Sequence, residues 1–269
     1  MIDGPANRTF AVIDIGNTRI AVGRWENSAV MDTVRVDADD RTGLTQALTR
    51  LHRGFPADAS PATGIASVAP DTLAWVDGVV QAVTGRGPVV IGRNVPLPMP
   101  INVRHPERVG VDRVCSAAAA FRRVRGTCIV VQFGTAVTVD VVADDGVFLG
   151  GAILPGLAMQ ARALHEFTAA LPLVAPNPPE QIIGGDTEEA IRSGIVIGTA
   201  GAVRGLVEGI ATQLGKWPQV IATGGDAARM AGVAAATDFF DSLVPDLCLM
   251  GIGDCLNDRF APGDDDHDG

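Results

Sequence analysis

The stretch that most restricts this chain is Ala11-Val12-Ile13-Asp14-Ile15-Gly16-Asn17-Thr18-Arg19-Ile20-Ala21-Val22. A β-branched apolar run enters a tight turn and leaves as alternating residues, which predicts strand, turn, strand. The turn carries a carboxylate, a glycine, an amide and a hydroxyl within five positions. Gly16 lets backbone approach a ligand, Asn17 and Thr18 offer donors beside it, and Asp14 can hold a hydrated Mg2+. The hairpin therefore reads either as a phosphate cradle or as a buried hairpin with a polar turn. A second copy follows at Cys128-Ile129-Val130-Val131-Gln132-Phe133-Gly134-Thr135-Ala136-Val137-Thr138-Val139-Asp140. Aligned on the glycines, Gln132 falls opposite Asp14. Two similar halves predict a duplicated α/β chain with a ligand between two turns, since clefts between domains are favoured small-molecule sites.

Composition narrows the partners. Of 269 residues, 47% are hydrophobic and 19% charged, enough apolar material for a sizeable core. The net charge of −10 gives no basic footprint for nucleic acid or an anionic membrane. Lys216 is the sole lysine, so a cationic contact to phosphate must come from arginine. Cys115, Cys128, Cys248 and Cys255 are scattered without a Cys-x-x-Cys pair and read as buried thiols of a reducing cytoplasm. The polar start, Met1 to Thr9, lacks the apolar core of a signal peptide. No uninterrupted apolar stretch reaches membrane-spanning length.

Between the two hairpins the order is strand (Met31 to Val36), helix (Thr42 to Leu51), strand, helix and strand, an α/β pattern. Val95-Pro96-Leu97-Pro98-Met99-Pro100 is a loop. Val109-Gly110-Val111-Asp112-Arg113 leads into an alanine-rich helix. Asp112 either complements that helix N-terminus or serves as a general base at a cleft edge, with Arg113 binding an anionic substrate. The residues alone leave both open. Phe148 to Gly156 is rich in small and rigid residues and precedes a helix over about Leu157 to Ala170. His165 on that helix reads as structural or exposed. Thr187 reads as a helix cap for a helix running toward Ile197, with a further helix over Gly201 to Leu214. Val220 to Ala227 is a strand, a diglycine turn and a helix, a geometry that lets a helix N-terminus face a nucleotide. Asp264 to Asp268 is an acidic tail, expected to be disordered.

In this order the pieces resemble the type III pantothenate kinases of the acetate and sugar kinase, heat-shock ATPase and actin superfamily. The matching pieces are Asp14-Ile15-Gly16-Asn17-Thr18, Gly110-Val111-Asp112-Arg113, Phe133-Gly134-Thr135-Ala136, Gly150-Gly151-Ala152-Ile153-Leu154-Pro155-Gly156 and Thr223-Gly224-Gly225-Asp226. Ala163-Leu164 to Leu171-Pro172 and Pro245-Asp246-Leu247 to Gly251 also fit. The resemblance implies two ribonuclease-H-like (actin-like ATPase) domains with a nucleotide cleft between them. We place them at residues 1–115 and 116–258, before the tail at 259–269. It implies a cytoplasmic homodimer that phosphorylates the primary hydroxyl of pantothenate with ATP and Mg2+, the first step of coenzyme A synthesis. Asp112 matches the general base. Gly110, Arg113 and Thr187 match substrate contacts. Asp14, Gly16, Asn17 and Thr18 match the phosphate and Mg2+ site, Gly134 and Thr135 match ATP contacts, and Gly224 and Gly225 match the adenosine side.

Three positions depart from the family. Ala21 stands where the family has lysine, with Arg19 two residues earlier on the same strand face. Val103 aligns with a tyrosine of the pantothenate pocket. Gln132 replaces an aspartate that binds an activating K+ or NH4+. A glutamine oxygen can coordinate a monovalent cation but brings no charge, a loss of several kcal/mol of attraction at contact distance. The K+ site is expected to be weakened or lost. Two other readings follow from these departures, a kinase for another small hydroxylated acid and a non-catalytic homologue that binds a ligand or regulates a partner.

Overall fold

The computed structural model describes residues 8–55, 61–233 and 239–261. The chain divides into two units, one of residues 1–100, 105–119 and 246–269, the other of residues 101–104 and 120–245.

In the first unit, β1 (Thr9–Ile15) pairs antiparallel with β2 (Arg19–Glu26), and β2 pairs antiparallel with β3 (Ala29–Asp37). β1 also runs parallel to β4 (Thr63–Ser67), which runs parallel to β5 (Val89–Val90), giving the order β3-β2-β1-β4-β5. Alternation along β1 sends Ala11, Ile13 and Ile15 to one side of the sheet and Phe10, Val12 and Asp14 to the other. The first side packs against α1 (Arg41–Arg53) and α2 (Pro70–Thr84) through Leu44, Leu48, Val76 and Val80. α1 starts where Asp40 accepts from the Gly43 N–H at 2.8 Å, and α2 starts on a proline, whose missing N–H costs nothing there.

The second side is covered by α7 (Leu247–Arg259), which joins Leu249, Ile252 and Leu256 to Phe10, Val12 and Trp25. The approach is close. A Cβ on Gly253 would lie 2.1 Å from the Trp25 ring, and the Trp25 indole donates to the buried Asp254 carboxylate at 3.1 Å. The expected boundary at 258 is corrected here, because α7 is committed to the first sheet by apolar burial although it follows the second in sequence. The 115/116 boundary falls inside α3 (Val111–Val124), whose residues divide between the two units after Ala119.

The second unit repeats the plan. β6 (Cys128–Phe133) pairs antiparallel with β7 (Ala136–Val142), and β7 with β8 (Phe148–Pro155). β6 runs parallel to β9 (Gln219–Thr223) and β9 to β10 (Ser242–Leu243), so the order is β10-β9-β6-β7-β8. Read from its other end, this sheet has the connectivity of the first, as the duplicated hairpins predict. Ile129, Val131 and Phe133 face α4 (Leu157–Glu166), α5 (Thr187–Leu214) and α6 (Ala227–Ala231).

Two helices differ from expectation. α4 stops at Glu166, where the Thr168 hydroxyl donates to the Leu164 carbonyl at 2.6 Å and turns the chain out. α5 is one 28-residue helix rather than two, because Thr199, Ala200, Val203 and Val207 are buried on either side of Gly201 and hold it continuous. Among the described residues α5 is also the one helix long and apolar enough by length and composition to cross a membrane, although Arg192, Arg204 and Glu208 interrupt its apolar run. Its buried face belongs to the core of the second unit. The acidic tail lies outside the described residues from position 262 on. All four cysteines are buried and free, as expected.

Candidate functional site

In the first unit the candidate residues converge at one end of the sheet. Asp14 is the penultimate residue of β1, opposite Ala21, and the turn beyond it closes with the Gly16 N–H donating to the Arg19 carbonyl at 3.0 Å. Asn17 and Thr18 are exposed on that turn. Asp14 lies on the α7 side, where Cys248 in the first turn of α7 hydrogen-bonds its carboxyl. Burial, then the neighbouring Asp112 carboxylate, push the Asp14 carboxyl up to about 7, against the Cys248 bond and the Arg35 charge; Asp246 adds to the rise. The Cys115 thiol, with burial and the two carboxylates, raises the Cys248 thiol as well.

Asp112 sits in the first turn of α3, where the Arg113 N–H donates to the Gly110 carbonyl at 3.1 Å. Its side chain folds back over Gly110, and a Cβ there would meet Asp112 Oδ1 at 2.5 Å. The glycine is what lets the carboxylate take this position. Gly110→Ala should therefore displace the Asp112 carboxylate rather than unfold the helix, since the obstructed atom ends a mobile side chain. If Asp112 is the general base that the resemblance implies, turnover should fall about 10- to 100-fold, the scale of a misplaced catalytic group. The melting temperature should change little, and steady-state rates beside a thermal melt check both.

One Asp14 oxygen, Oδ1, is buried and has no hydrogen-bond partner. A buried carboxylate oxygen without a donor is costly, and a second carboxylate bears on it, so a cation fits this position. Among the described residues no group of three or more His, Cys, Asp or Glu side chains could hold a metal. A site of one or two carboxylates completed by water and phosphate oxygens suits Mg2+.

In the second unit the hairpin turn Gly134-Thr135 is gripped from two sides. The Gly156 N–H donates to the Thr135 carbonyl at 3.1 Å, and the Asp226 N–H to the Phe133 carbonyl at 3.2 Å. Gly224 has φ +98°, and a Cβ on it would lie 2.3 Å from the Phe133 carbonyl oxygen, so only glycine serves. Gly225 has nothing within 4 Å of its Cβ direction. Gly134, Thr135, Gly224 and Gly225 thus form one backbone-lined corner. Gln132 occupies the place that Asp14 holds in the first sheet, paired across to Thr138 on β7 and Thr223 on β9.

Thr187 is the first residue of α5. It is not the cap of α5, which is Asp186, whose Oδ1 accepts from the Glu189 N–H at 2.8 Å. Thr187 instead lines a cavity of about 770 Å³ with Met159, Gln160, Leu164, Leu171 and Ile191. Gln160 is fixed by the Pro155 carbonyl at 2.9 Å and the Thr199 hydroxyl at 3.0 Å. Val103 packs against Gly150, 3.2 Å from its Cβ direction, outside the cavity lining. His165 is exposed, its Nδ1 2.8 Å from the Leu171 carbonyl, a structural contact as expected. Sequence reasoning gave no role to Arg35, Asp246 and Cys248, which surround Asp14. Only Pro245-Asp246-Leu247 carried a signal, as a motif without a task.

The family model for type III pantothenate kinases matches residues 10–209. The chain is 34% identical over 249 residues to a protein named type III pantothenate kinase from Dehalococcoides mccartyi, covering 90% of this chain and 95% of the relative. It is 36% identical over 247 residues to one of the same name from Syntrophotalea carbinolica, covering 90% and 95%. A Campylobacter jejuni structure described as a Baf family transcriptional activator has a TM-score of 0.58 at 17% identity, covering 93% of this chain and 98% of that one. The ethanolamine utilization protein EutJ of Carboxydothermus hydrogenoformans has 0.53 at 16%, covering 91% and 88%. These two structures bear on the fold alone.

Proposed function

We propose, from the fact that this chain belongs to the type III pantothenate kinase family, that it transfers the γ-phosphoryl group of ATP to the primary hydroxyl of pantothenate. The observation that carries this reading is the facing of two carboxylates, the partly orphaned Asp14 and Asp112 folded over Gly110. In the reaction the acceptor oxygen forms a bond to γ-phosphorus as the bond to the β-bridging oxygen breaks. ADP leaves and Asp112 takes the hydroxyl proton. Arg113 and Gly110 bind the acceptor beside Asp112, and Thr187 contributes a hydroxyl from its cavity. Asn17 and Thr18 with the Gly16 backbone hold phosphate oxygens, while Gly134, Thr135, Gly224 and Gly225 hold the nucleotide. Asp14 is the residue that would hold Mg2+, which when bound neutralises charge on the phosphate oxygens. Positioning and charge supply most of the acceleration.

Gln132 leaves the monovalent-cation position without a carboxylate, so the activity should not depend on K+. Self-association as a homodimer is supported by the exposed Ile153, Met159, Phe167, Leu173, Ile182 and Ile183 of the second unit, since such apolar area on one unit favours a partner. The reaction uses soluble substrates, consistent with a cytoplasmic enzyme. A kinase for another small hydroxylated acid remains the second reading, favoured by Val103 in place of the family tyrosine.

The test is ADP release from Mg-ATP with and without pantothenate, each in Na+ and in K+ buffer. Pantothenate-dependent release, equal in both, is the expected result. Turnover rising steeply with K+ overturns the reading of Gln132. No release in either buffer overturns pantothenate as acceptor and sends the search to a panel of hydroxylated acids.

A further inference from the structure

The strand register answers where the cation beside the Asp14 turn comes from. Asp14 on β1 is paired with Ala21 on β2, and Ala21 is paired with Arg35 on β3. Residues directly paired across a sheet project from the same face, so the three form one row on the α7 side. Neighbouring strands lie about 4.8 Å apart. The backbones of Asp14 and Arg35 are thus separated by about two such spacings, a distance that an extended arginine largely spans. Between them Ala21 presents only a methyl group. Arg19 is also on this face, but it is exposed, two residues closer to the turn, and paired with Asp37.

Arg35 is held from behind. Its guanidinium forms an ion pair with Asp246, and the Thr33 hydroxyl donates to the other Asp246 oxygen at 2.9 Å. Asp246 sits at the head of α7 with a left-handed φ of +59°, a region that aspartate enters more readily than most non-glycine residues. Its side chain is 14% exposed, against 38% for Arg35, so the anchor is enclosed while the guanidinium reaches the surface. The electrostatics agree, since the Arg35 charge favours the ionised form of the Asp14 carboxyl. A guanidinium presents five donors in a planar fork, so one edge can engage a carboxylate while another faces an anion.

We propose that Arg35, oriented by Asp246, is the cationic phosphate-binding residue of the nucleotide site beside Asp14. Asp246 is then a positioning residue. The inference rests on the kinase reading insofar as it assumes nucleotide phosphate at the Asp14 turn.

The experiment is calorimetric titration of the full chain with the Mg2+ complex of a non-hydrolysable ATP analogue, which needs no acceptor. Arg35→Met should weaken binding about 10- to 100-fold, the scale of a charge-assisted hydrogen bond. Adding Ala21→Lys to Arg35→Met should recover most of that loss, because the new ammonium stands in the same row. Arg35→Lys should hold the loss to a few-fold, and Asp246→Asn, whose side chain tolerates the left-handed backbone, should weaken binding by less than Arg35→Met. In turnover assays the Arg35 effect should fall on the KM for ATP and leave that for pantothenate unchanged. Arg35→Met binding as tightly as the unaltered chain overturns the proposal, and so does an Ala21→Lys, Arg35→Met double variant that binds no better than Arg35→Met. A chain that binds the analogue in this pattern yet phosphorylates no pantothenate overturns the acceptor reading alone.

Discussion

Replacing Asp112 by asparagine should lower pantothenate-dependent turnover by about 10²- to 10⁴-fold, the contribution of a positioned general base. The amide keeps the size of the carboxylate and still fits over Gly110, where the carboxylate now lies. It cannot take a proton from the acceptor hydroxyl. Nucleotide binding should hold or tighten slightly, because removing Asp112 removes a negative charge that bears on Asp14. Stability should fall by no more than about 1 kcal/mol, the worth of a carboxylate in the first turn of a helix. This combination separates the two roles that the residue could have from its sequence position. If Asp112 merely complemented the α3 N-terminus, the stability change would appear and kcat would stay. Steady-state rates at saturating ATP and pantothenate, beside a thermal melt of the same protein, give both numbers, and an unchanged kcat would remove Asp112 from the chemistry.

The ease of reading this chain differed by element, for physical reasons. The two hairpins were legible because β-branched alternation and a glycine turn are local signals, and their repetition pointed to two sheets of the same connectivity. The family motifs single out Asp14, Asp112, Thr135 and Gly224 from sequence alone. The sequence divides α5 between Ile197 and Gly201, where glycines weaken the local helix signal, while the burial that holds it continuous involves side chains from other elements. Sequence order alone places α7 with the second domain, because it carries no information about a helix that returns. Its docking depends on Gly253 meeting Trp25, 228 positions away by number (253 − 25). Thr187 read as a cap because threonine is a common one, yet Asp186 immediately before it bonds better to the helix N-terminus and leaves Thr187 to the cavity wall. Arg35 was invisible for the plainest reason. Its place beside Ala21 exists only in the β2–β3 register, and the β-bulge between Val22 and Arg24 prevents that register from being counted back from the turn.

Asp14→Asn should abolish turnover and at the same time stabilise the metal-free protein at alkaline pH. The folded carboxyl is raised from its ordinary 3.8 to about 7, by burial first and then by Asp112, with Asp246 adding and Cys248 and Arg35 opposing. A raised folded value means that the folded state binds the proton more tightly than the unfolded one. The native protein therefore loses stability as pH climbs from about 4 toward 7 and carries the full penalty above that. At about 1.4 kcal/mol per unit the penalty reaches about 4 kcal/mol, and an amide, which matches a protonated carboxyl imperfectly, should relieve about 2–4 kcal/mol of it. In EDTA at pH 8 the variant should melt about 5–10 °C above the unaltered chain, with the difference closing as the pH falls toward 4. Mg2+ with an ATP analogue should reverse the order, stabilising the native chain by mass action and leaving the variant behind. A variant less stable than the native chain at pH 8 without metal would mean that the ionised carboxylate is satisfied inside the protein, and the case for a cation at its Oδ1 would fall with it. The expected crossing, in which the substitution that improves the empty fold ruins the loaded one, is the signature of a buried charge kept for a ligand rather than for stability.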